Sequence, residues 1–242
     1  MAGRRGDERH IYLIHGLGDS PRVWRGTRAA APLKRYRFIV PALPGFGGRK
    51  PLPRRKRGIY GLADWLQAEI GRRSKGRRIV LVGHSMGGTI ATLLGSRMGE
   101  VEAIINVEGP LLLSDLRTSR QAANTKNFPR WFGDFRRTMT KPEAGSGIPE
   151  HFGAAVARAD PATFRACARD IVKLTRGGRL AALFTRLPVQ ATHFYGSEGI
   201  SAQSQRLLRD RSCAAVRFDR AGHWPMIDAP AKFARRLARA LG

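Results

Sequence analysis

Acidic residues and cysteines are scarce in this sequence, and it has no long apolar run. The two cysteines, Cys167 and Cys213, lie far apart in the chain, and we expect both to be free thiols. No apolar run approaches the roughly 20 residues that span a bilayer. The N-terminal stretch 1–8 is charged, and the apolar run after it is too short for a signal peptide, so we expect a cytoplasmic protein. No residues have the spacing of metal ligands, and we expect neither a metal nor a cofactor.

The shortage of acidic residues leaves a large excess of positive charge. The sequence has 44 lysines and arginines, 36 of them arginine, against 18 acidic residues, and its net charge is +26. Such a balance favours polyanions as partners. However, the basic residues are scattered over nearly every segment, and no signature of a nucleic-acid-binding fold accompanies the densest cluster, at 54–57. We interpret the arginines as residues of solvated faces, and expect non-specific binding to polyanions at low salt but no specific nucleic acid partner.

Short apolar runs alternate with helical patterns along the chain. Most of these runs are rich in β-branched residues and largely continuous, as is typical of strands buried on both faces of a parallel sheet. The expected strands are 10–15, 37–42, 79–82, 103–107, 189–195 and 215–219. The expected helices of the same layers are 60–73, 88–98, 202–210 and 231–241. The alternation predicts an α/β fold with a mostly parallel sheet of about six strands, whose ligands bind beyond the carboxyl ends of the strands.

One connection departs from this alternation. Residues 111–187 contain no clear strand but carry helical stretches, several of which begin with proline at a plausible first-turn position. These stretches are 129–141, 149–159, 161–175 and 178–186. Because a structureless loop of this length is improbable, we predict a helical cap at 111–187, inserted after the fourth strand into a core of residues 1–110 and 188–242. The apolar side chains of its first long helix either pack within the cap or contact the substrate; they are Phe128, Trp131, Phe132, Phe135 and Met139.

The third strand leads directly into Gly83-His84-Ser85-Met86-Gly87, and helix-forming residues follow. A G-x-S-x-G sequence between a strand and a helix is typical of a strained turn that exposes a serine hydroxyl at the edge of a sheet. Glycines flank the serine where bulkier side chains would collide across the turn. The pattern makes Ser85 a candidate nucleophile.

A serine nucleophile needs a base to remove its proton, and the chain has six histidines. His223 follows the last strand, at a carboxyl strand end that faces the same rim as Ser85, and we predict that it is the base. His15 opens the loop after the first strand, and we expect it to hold that loop by hydrogen bonding. His193 lies within a strand, where a core or surface role is expected.

An oxyanion hole requires two backbone N–H groups that point at the developing negative charge. The N–H of Met86 directly follows the serine at the start of a helix, where the helix dipole favours negative charge. The second donor is expected from the loop His15-Gly16-Leu17-Gly18, whose glycines let the backbone approach closely. We predict Leu17 and Met86 as the two donors.

These motifs together resemble those of the α/β-hydrolase superfamily in its compact, capped form. The resemblance covers about residues 10–240 and rests on the order and spacing of four motifs. They are His15-Gly16-Leu17-Gly18, Pro44-Gly45-Phe46-Gly47, Gly83-His84-Ser85-Met86-Gly87-Gly88 and Gly222-His223-Trp224-Pro225. The resemblance implies a nucleophile at Ser85, a base at His223 and oxyanion donors at Leu17 and Met86. It also implies that two N-terminal strands common in larger members are absent.

The acid of the triad departs from the superfamily's commonest pattern, Gly-x-x-Asp after the strand that precedes the last one. The corresponding stretch is Tyr195-Gly196-Ser197-Glu198-Gly199, so glycine stands at the expected aspartate position. Glu198 is one residue early. The alternative is Glu108, at the carboxyl end of the strand after the nucleophile helix, where some superfamily members place the acid. A carboxylate at the end of a buried strand is costly without a partner, and His223 would supply one, so we favour Glu108.

The sequence therefore predicts hydrolysis of a small-molecule carboxylic ester or thioester through an acyl-serine intermediate. The same residues serve the hydrolysis of carbon–carbon bonds, lactones and amides, and the fold does not choose among these reactions. A non-catalytic binding protein on a hydrolase scaffold is the alternative of another class. The substrate's identity and the oligomeric state leave no recognisable pattern in the sequence.

Overall fold

Six parallel strands form one sheet at the centre of the computed structural model, which describes residues 9–143 and 145–242. The strands are β1 His10–Ile14, β2 Phe38–Ile39, β3 Ile79–His84, β4 Val101–Val107, β5 Gln190–Gly196 and β6 Ala214–Phe218. Their order in the sheet is β2-β1-β3-β4-β5-β6. The predicted α/β class and strand number are confirmed. The charged N-terminal stretch 1–8, from which we expected a cytoplasmic protein, lies outside the described residues.

Helices connect the strands and cover both faces of the sheet. They are α1 Arg25–Ala29, α2 Ile59–Ser74, α3 Met86–Gly95, α4 Thr118–Asn124, α5 Phe128–Thr140, α6 Glu150–Ala157, α7 Pro161–Thr175, α8 Arg179–Thr185, α9 Ala202–Asp210, α10 Pro225–Asp228 and α11 Pro230–Leu241. The sequence predicted α7 and α9 with these bounds, and most of the other long helices to within about two residues. Within the described ranges, no helix is both long and apolar enough to cross a membrane.

The second strand is much shorter than the sequence predicts. The prediction of a strand at 37–42 is wrong beyond Phe38–Ile39, which pairs with Ile11 and Tyr12 of β1. Pro41 lacks the backbone N–H that a longer ladder needs, and β2 is the edge strand of the sheet, where no further strand stabilises it. The chain leaves the sheet there and runs on to the loop of residues 43–58.

The sheet is buried on both faces because successive side chains of its strands point in opposite directions. All five residues of β1 and all six of β3 are buried. On one face Tyr12 and Leu81 pack with residues of α2 and α3. On the other face Leu13 and Val82 pack with α11. The central strands are therefore held firmly, and their carboxyl ends form a fixed edge.

Helix α11 shows where many of the arginines lie. Its buried residues Phe233, Leu237 and Leu241 recur every four positions and face the sheet. Arg235, Arg236 and Arg239 lie on its exposed side. This arrangement is that of an amphipathic helix whose basic side chains are solvated.

The chain between β4 and β5 is helical, as predicted, and we call residues 111–187 the insertion. It contains α4 to α8 and, among the described residues, no strand. The sequence did not predict α4. Helix α7 packs on α4 and on α2 of the core. Asp115 joins the start of the insertion to the loop after β5, since its carboxylate accepts hydrogen bonds from the backbone of Leu111 and from Ser201 and Ser204.

His193, which the sequence placed within a strand, is a buried residue of β5. Its Nε2–H donates to the carbonyl of Gly109 at 2.9 Å, and burial lowers its pKa to about 4. The unfolded chain takes up this proton near pH 6.5, so the stability that the neutral ring confers is complete above that pH and is lost as the pH falls towards 4.

We expect this histidine to make the protein about 2 kcal/mol less stable near pH 5 than near pH 7.5. Urea unfolding of the wild-type protein and of His193→Gln at both pH values measures its share. The pH-dependent loss should be about 2 kcal/mol smaller in the variant, because glutamine keeps a donor but does not titrate. An equal loss in both proteins would show that His193 is not the titrating group.

Candidate active site

Ser85 lies at the turn between β3 and α3 in a strained backbone conformation. Its φ and ψ are 52° and −117°, a region that residues with side chains rarely adopt. The turn is tight: a Cβ added at Gly83 would overlap the backbone of Gly87, and one added at Gly87 would overlap the carbonyl of Ile14. The flanking glycines are therefore required by close approach of the backbone. The turn holds Ser85 at the carboxyl edge of the sheet.

The loop after β1 lies against this turn. A Cβ added at Gly16 would be 3.2 Å from the Cβ of Ser85, so the loop backbone passes directly beside the serine. The ring of His15 fixes the loop: its Nδ1–H donates to the carbonyl of Gly16 at 3.0 Å, and its Nε2 accepts from the N–H of Leu43 at 3.2 Å. Met86 is the first residue of α3, where backbone N–H groups lack acceptors within the helix. The two predicted oxyanion donors, Leu17 and Met86, thus line one cavity with Ser85.

Glu108 and His223 face each other across the sheet edge. Glu108 directly follows β4 and is buried, with Oε2 at 3.4 Å from Nδ1 of His223. His223 follows β6, and its side chain is 42% exposed to solvent. The structure brings Ser85 and His223 to the same cavity, although no hydrogen bond joins their side chains within the described residues. Such bonds are often long in proteins without substrate.

The backbone after β5 surrounds the carboxylate of Glu108. Its Oε1 accepts from the N–H of Gly196 at 2.5 Å. Burial raises the pKa of Glu108, while His223 and the Gly196 N–H favour the charged form. A Cβ added at Gly199 would coincide with the carboxylate of Glu108, so a residue with a side chain does not fit there while Glu108 occupies its place. Glu198 is exposed at the rim, and in the described part of the chain its carboxylate has no ion-pair or hydrogen-bond partner.

His84 joins the turn at Ser85 to the loop that carries His223, a contact that the sequence did not indicate. Its Nε2–H donates to the backbone carbonyl of His223 at 2.8 Å, and the two rings have centroids 4.9 Å apart. Burial is the main cause that lowers the pKa of His84, to about 3, so the ring is neutral at physiological pH. A neutral donor here holds the loop of His223 by a hydrogen bond and adds no charge beside its ring.

Asp19 is a further buried residue of the site that sequence reasoning missed. It is 1% exposed, follows the loop of Gly16 and Leu17, and lines the cavity. Its Oδ1 accepts from the N–H of Ser20 at 2.7 Å and lies 3.2 Å from Nε2 of His151 in α6. An aspartate in a glycine-rich loop is typical of a turn. No local pattern links Asp19 to His151, which lies 132 positions later.

The cavity that contains these residues has a volume of ≈ 590 Å³. Its floor is the sheet edge with Ser85, and its roof includes Phe135, Met139 and Phe152 of the insertion. Phe128, Trp131 and Phe132 of α5 pack on one another, and Trp131 and Phe132 contact Phe164 of α7, so these side chains pack within the insertion. Phe135 also lines the cavity, and its contact with a substrate stays a prediction. Among the described residues, no three histidine, cysteine or acidic side chains lie together as metal ligands would.

The sequence of this chain is similar to those of known proteins. Residues 11–236 match the model of a family described as the alpha/beta hydrolase family. Uncharacterized proteins of Mycobacterium tuberculosis and Mycobacterium bovis are 33% identical over 81 residues, a match that covers 34% of this chain. The match covers 23% of the length of those relatives.

Solved structures resemble the chain over nearly its full length. An N-acyl homoserine lactonase complexed with N-hexanoyl homoserine is 22% identical, with a TM-score of 0.75 over 98% of this chain and 90% of that one. A thermophilic esterase from Thermogutta terrifontis is 20% identical, with a TM-score of 0.76 over the same shares. The enol-lactonase from Burkholderia xenovorans is 17% identical, with a TM-score of 0.74 over 99% of this chain and 94% of that one. At these identities the likeness shows the fold alone.

Proposed function

Because the chain belongs to the alpha/beta hydrolase family, we propose that it is a serine hydrolase that cleaves carboxylic esters or thioesters through an acyl-serine intermediate. The observation that supports this most is the meeting of a strained Ser85 with His223 and the buried Glu108 at one cavity. A carboxylate is costly to bury, and its position against Nδ1 of a histidine gives it a function. A binding protein that had lost catalysis would not need this arrangement.

In this proposal Glu108 holds the Nδ1–H of His223, which leaves Nε2 free to accept a proton. Ser85 Oγ attacks the ester carbonyl as His223 Nε2 takes the hydroxyl proton. The N–H groups of Leu17 and Met86 stabilise the oxyanion that forms on the carbonyl oxygen. His223 then passes the proton to the leaving alcohol or thiol. Water attacks the acyl-serine with His223 again as base, and the free acid leaves.

Lactones are cyclic esters and react by the same steps, and two of the similar structures are lactonases. Hydrolysis of amides and of carbon–carbon bonds uses the same residues, but in those substrates the leaving group departs less readily. We place small-molecule esters first because a cavity of ≈ 590 Å³ with a partly apolar roof suits a small acyl chain. The cytoplasmic location, and binding of polyanions without sequence preference, stay predictions of the sequence.

A fluorophosphonate probe tests the proposal, because it phosphonylates serines that an adjacent base activates. We expect the probe to label the wild-type protein and not Ser85→Ala. Ser119→Ala is the matched control, since Ser119 lines the same cavity and lies away from His223 in the chain; this variant should label like the wild type. Absence of labelling in the wild type, together with no hydrolysis of 4-nitrophenyl esters, would contradict the proposed function.

A further inference from the structure

Two consecutive residues of α6 contact the core loops that carry the proposed oxyanion donor and the proposed base. His151 Nε2 lies 3.2 Å from Asp19 Oδ1, and Asp19 is two residues after Leu17. Phe152 packs edge-on against Trp224, with centroids 5.4 Å apart, and Trp224 directly follows His223. One turn of one insertion helix therefore touches two corners of the site.

The carboxylate of Asp19 is a buried charge with few partners. Its Oδ1 accepts a hydrogen bond from the N–H of Ser20 and lies at ion-pair distance, 3.2 Å, from Nε2 of His151. Neither Oδ2 nor Nε2 of His151 has a hydrogen-bond partner among the described residues. Burial alone would raise the pKa of Asp19, but the nearby histidines, His151 foremost, hold it below its ordinary value. The group is therefore charged at neutral pH. Removing the partner of a buried charge is strongly unfavourable.

Three histidines act electrostatically on Asp19, and two of them are neutral. His15 and His84 are completely buried, which lowers the pKa of each below its ordinary value. The ring of His151 is 19% exposed at the junction of α6 and the core. Of the three, His151 is the one whose ring nitrogen lies at ion-pair distance from the carboxylate. An unbalanced negative charge beside Leu17 would oppose the negative charge that develops on the substrate oxygen.

We propose that His151 is a positioning residue for the reaction, which acts through Asp19 on the loop that carries Leu17. The ion pair fixes this loop and balances the buried carboxylate only while α6 is seated on the core. The seated insertion is then the reactive form, and a displaced one leaves Asp19 unpaired. This inference rests on the proposed function, because it concerns the same oxyanion donors.

A suppressor experiment tests it. His151→Gln leaves the carboxylate without a cation, so we expect kcat for 4-nitrophenyl butyrate to fall about tenfold, with KM changed less than about twofold. Asp19→Asn removes the charge itself, so kcat of the double variant should exceed that of His151→Gln by at least about threefold. Each kcat is divided by the concentration of sites titrated with the fluorophosphonate, so a loss of stability alone does not move it.

Arg137→Gln is the control, because it breaks an ion pair with Asp134 on the exposed surface of α5, in the same insertion. Its kcat should match that of the wild type. A His151→Gln variant within about twofold of the wild type, or a double variant no better than His151→Gln, overturns the inference while the proposed function stands. A wild-type protein that hydrolyses no ester overturns the proposed function, and this inference with it.

Discussion

Glu108→Gln is expected to lower kcat for an aryl ester by about 10⁴-fold, the loss seen when a triad acid becomes its amide. In the structure Oε1 of Glu108 already accepts the N–H of Gly196, so the glutamine oxygen will take that place. The NH2 group of the glutamine then faces Nδ1 of His223. This donor favours the imidazole tautomer that is protonated on Nε2 and not on Nδ1. That tautomer cannot accept the proton of Ser85. The ratio of kcat in the variant and the wild type, per titrated site, measures the effect.

Glu198→Gln is the matched control, since Glu198 was the other candidate acid of the sequence. Its carboxylate is exposed and unpaired within the described residues, so we expect kcat to stay within about threefold of the wild type. A large loss in Glu198→Gln with little loss in Glu108→Gln would assign the acid to Glu198 and refute its assignment to Glu108.

Gly199→Ala is expected to lower kcat by about 10²-fold, although this residue takes no part in the chemistry. The added methyl group would occupy the space of the Glu108 carboxylate, and Glu108 must then turn away from His223. A displacement of about 1 Å is enough for a loss of this size. Steady-state kinetics on the titrated enzyme, with thermal unfolding to confirm the fold, makes the measurement.

The same overlap predicts a partial rescue. Position 199 is where the commonest family pattern has aspartate, and its side chain would point at the space that Glu108 now fills. In Glu108→Ala/Gly199→Asp a carboxylate reaches His223 from the other loop, so this variant should exceed Glu108→Ala alone by at least about tenfold. If Gly199→Ala behaves like the wild type, the space is not shared and the rescue loses its basis.

The sequence predicted the sheet because its central strands are continuous apolar runs. Such a run indicates a buried strand without any knowledge of distant contacts. The same holds for the turn at Ser85, whose glycines and flanking elements are contiguous. It predicted His223 from its place after the last strand, since a parallel sheet brings all carboxyl ends to one edge. The contact of Glu108 with His223 agrees with the choice that the sequence favoured, although the role of Glu108 stays a prediction.

Two other contacts between distant segments could not be predicted from the sequence. The pairing of Asp19 with His151 depends on how α6 seats on the core, and neither residue shows this locally. The overlap of Gly199 with Glu108 depends on the spacing of β4 and β5. For β2 the sequence predicted too long a strand. The local apolar run favours a strand, but at the edge of the sheet it has a neighbour on one side only.

Rapid-quench mass spectrometry of the protein mixed with excess 4-nitrophenyl butyrate tests whether the reaction passes through an acyl group on Ser85. We expect a butyryl group on the tryptic peptide 79–97, assigned by fragmentation to Ser85 rather than to Ser96. The adduct should form in milliseconds and decay as turnover ends, and it should be absent from Ser85→Ala. Turnover of the ester with no acyl group on Ser85, or with the acyl group on another residue, would show that Ser85 is not the nucleophile.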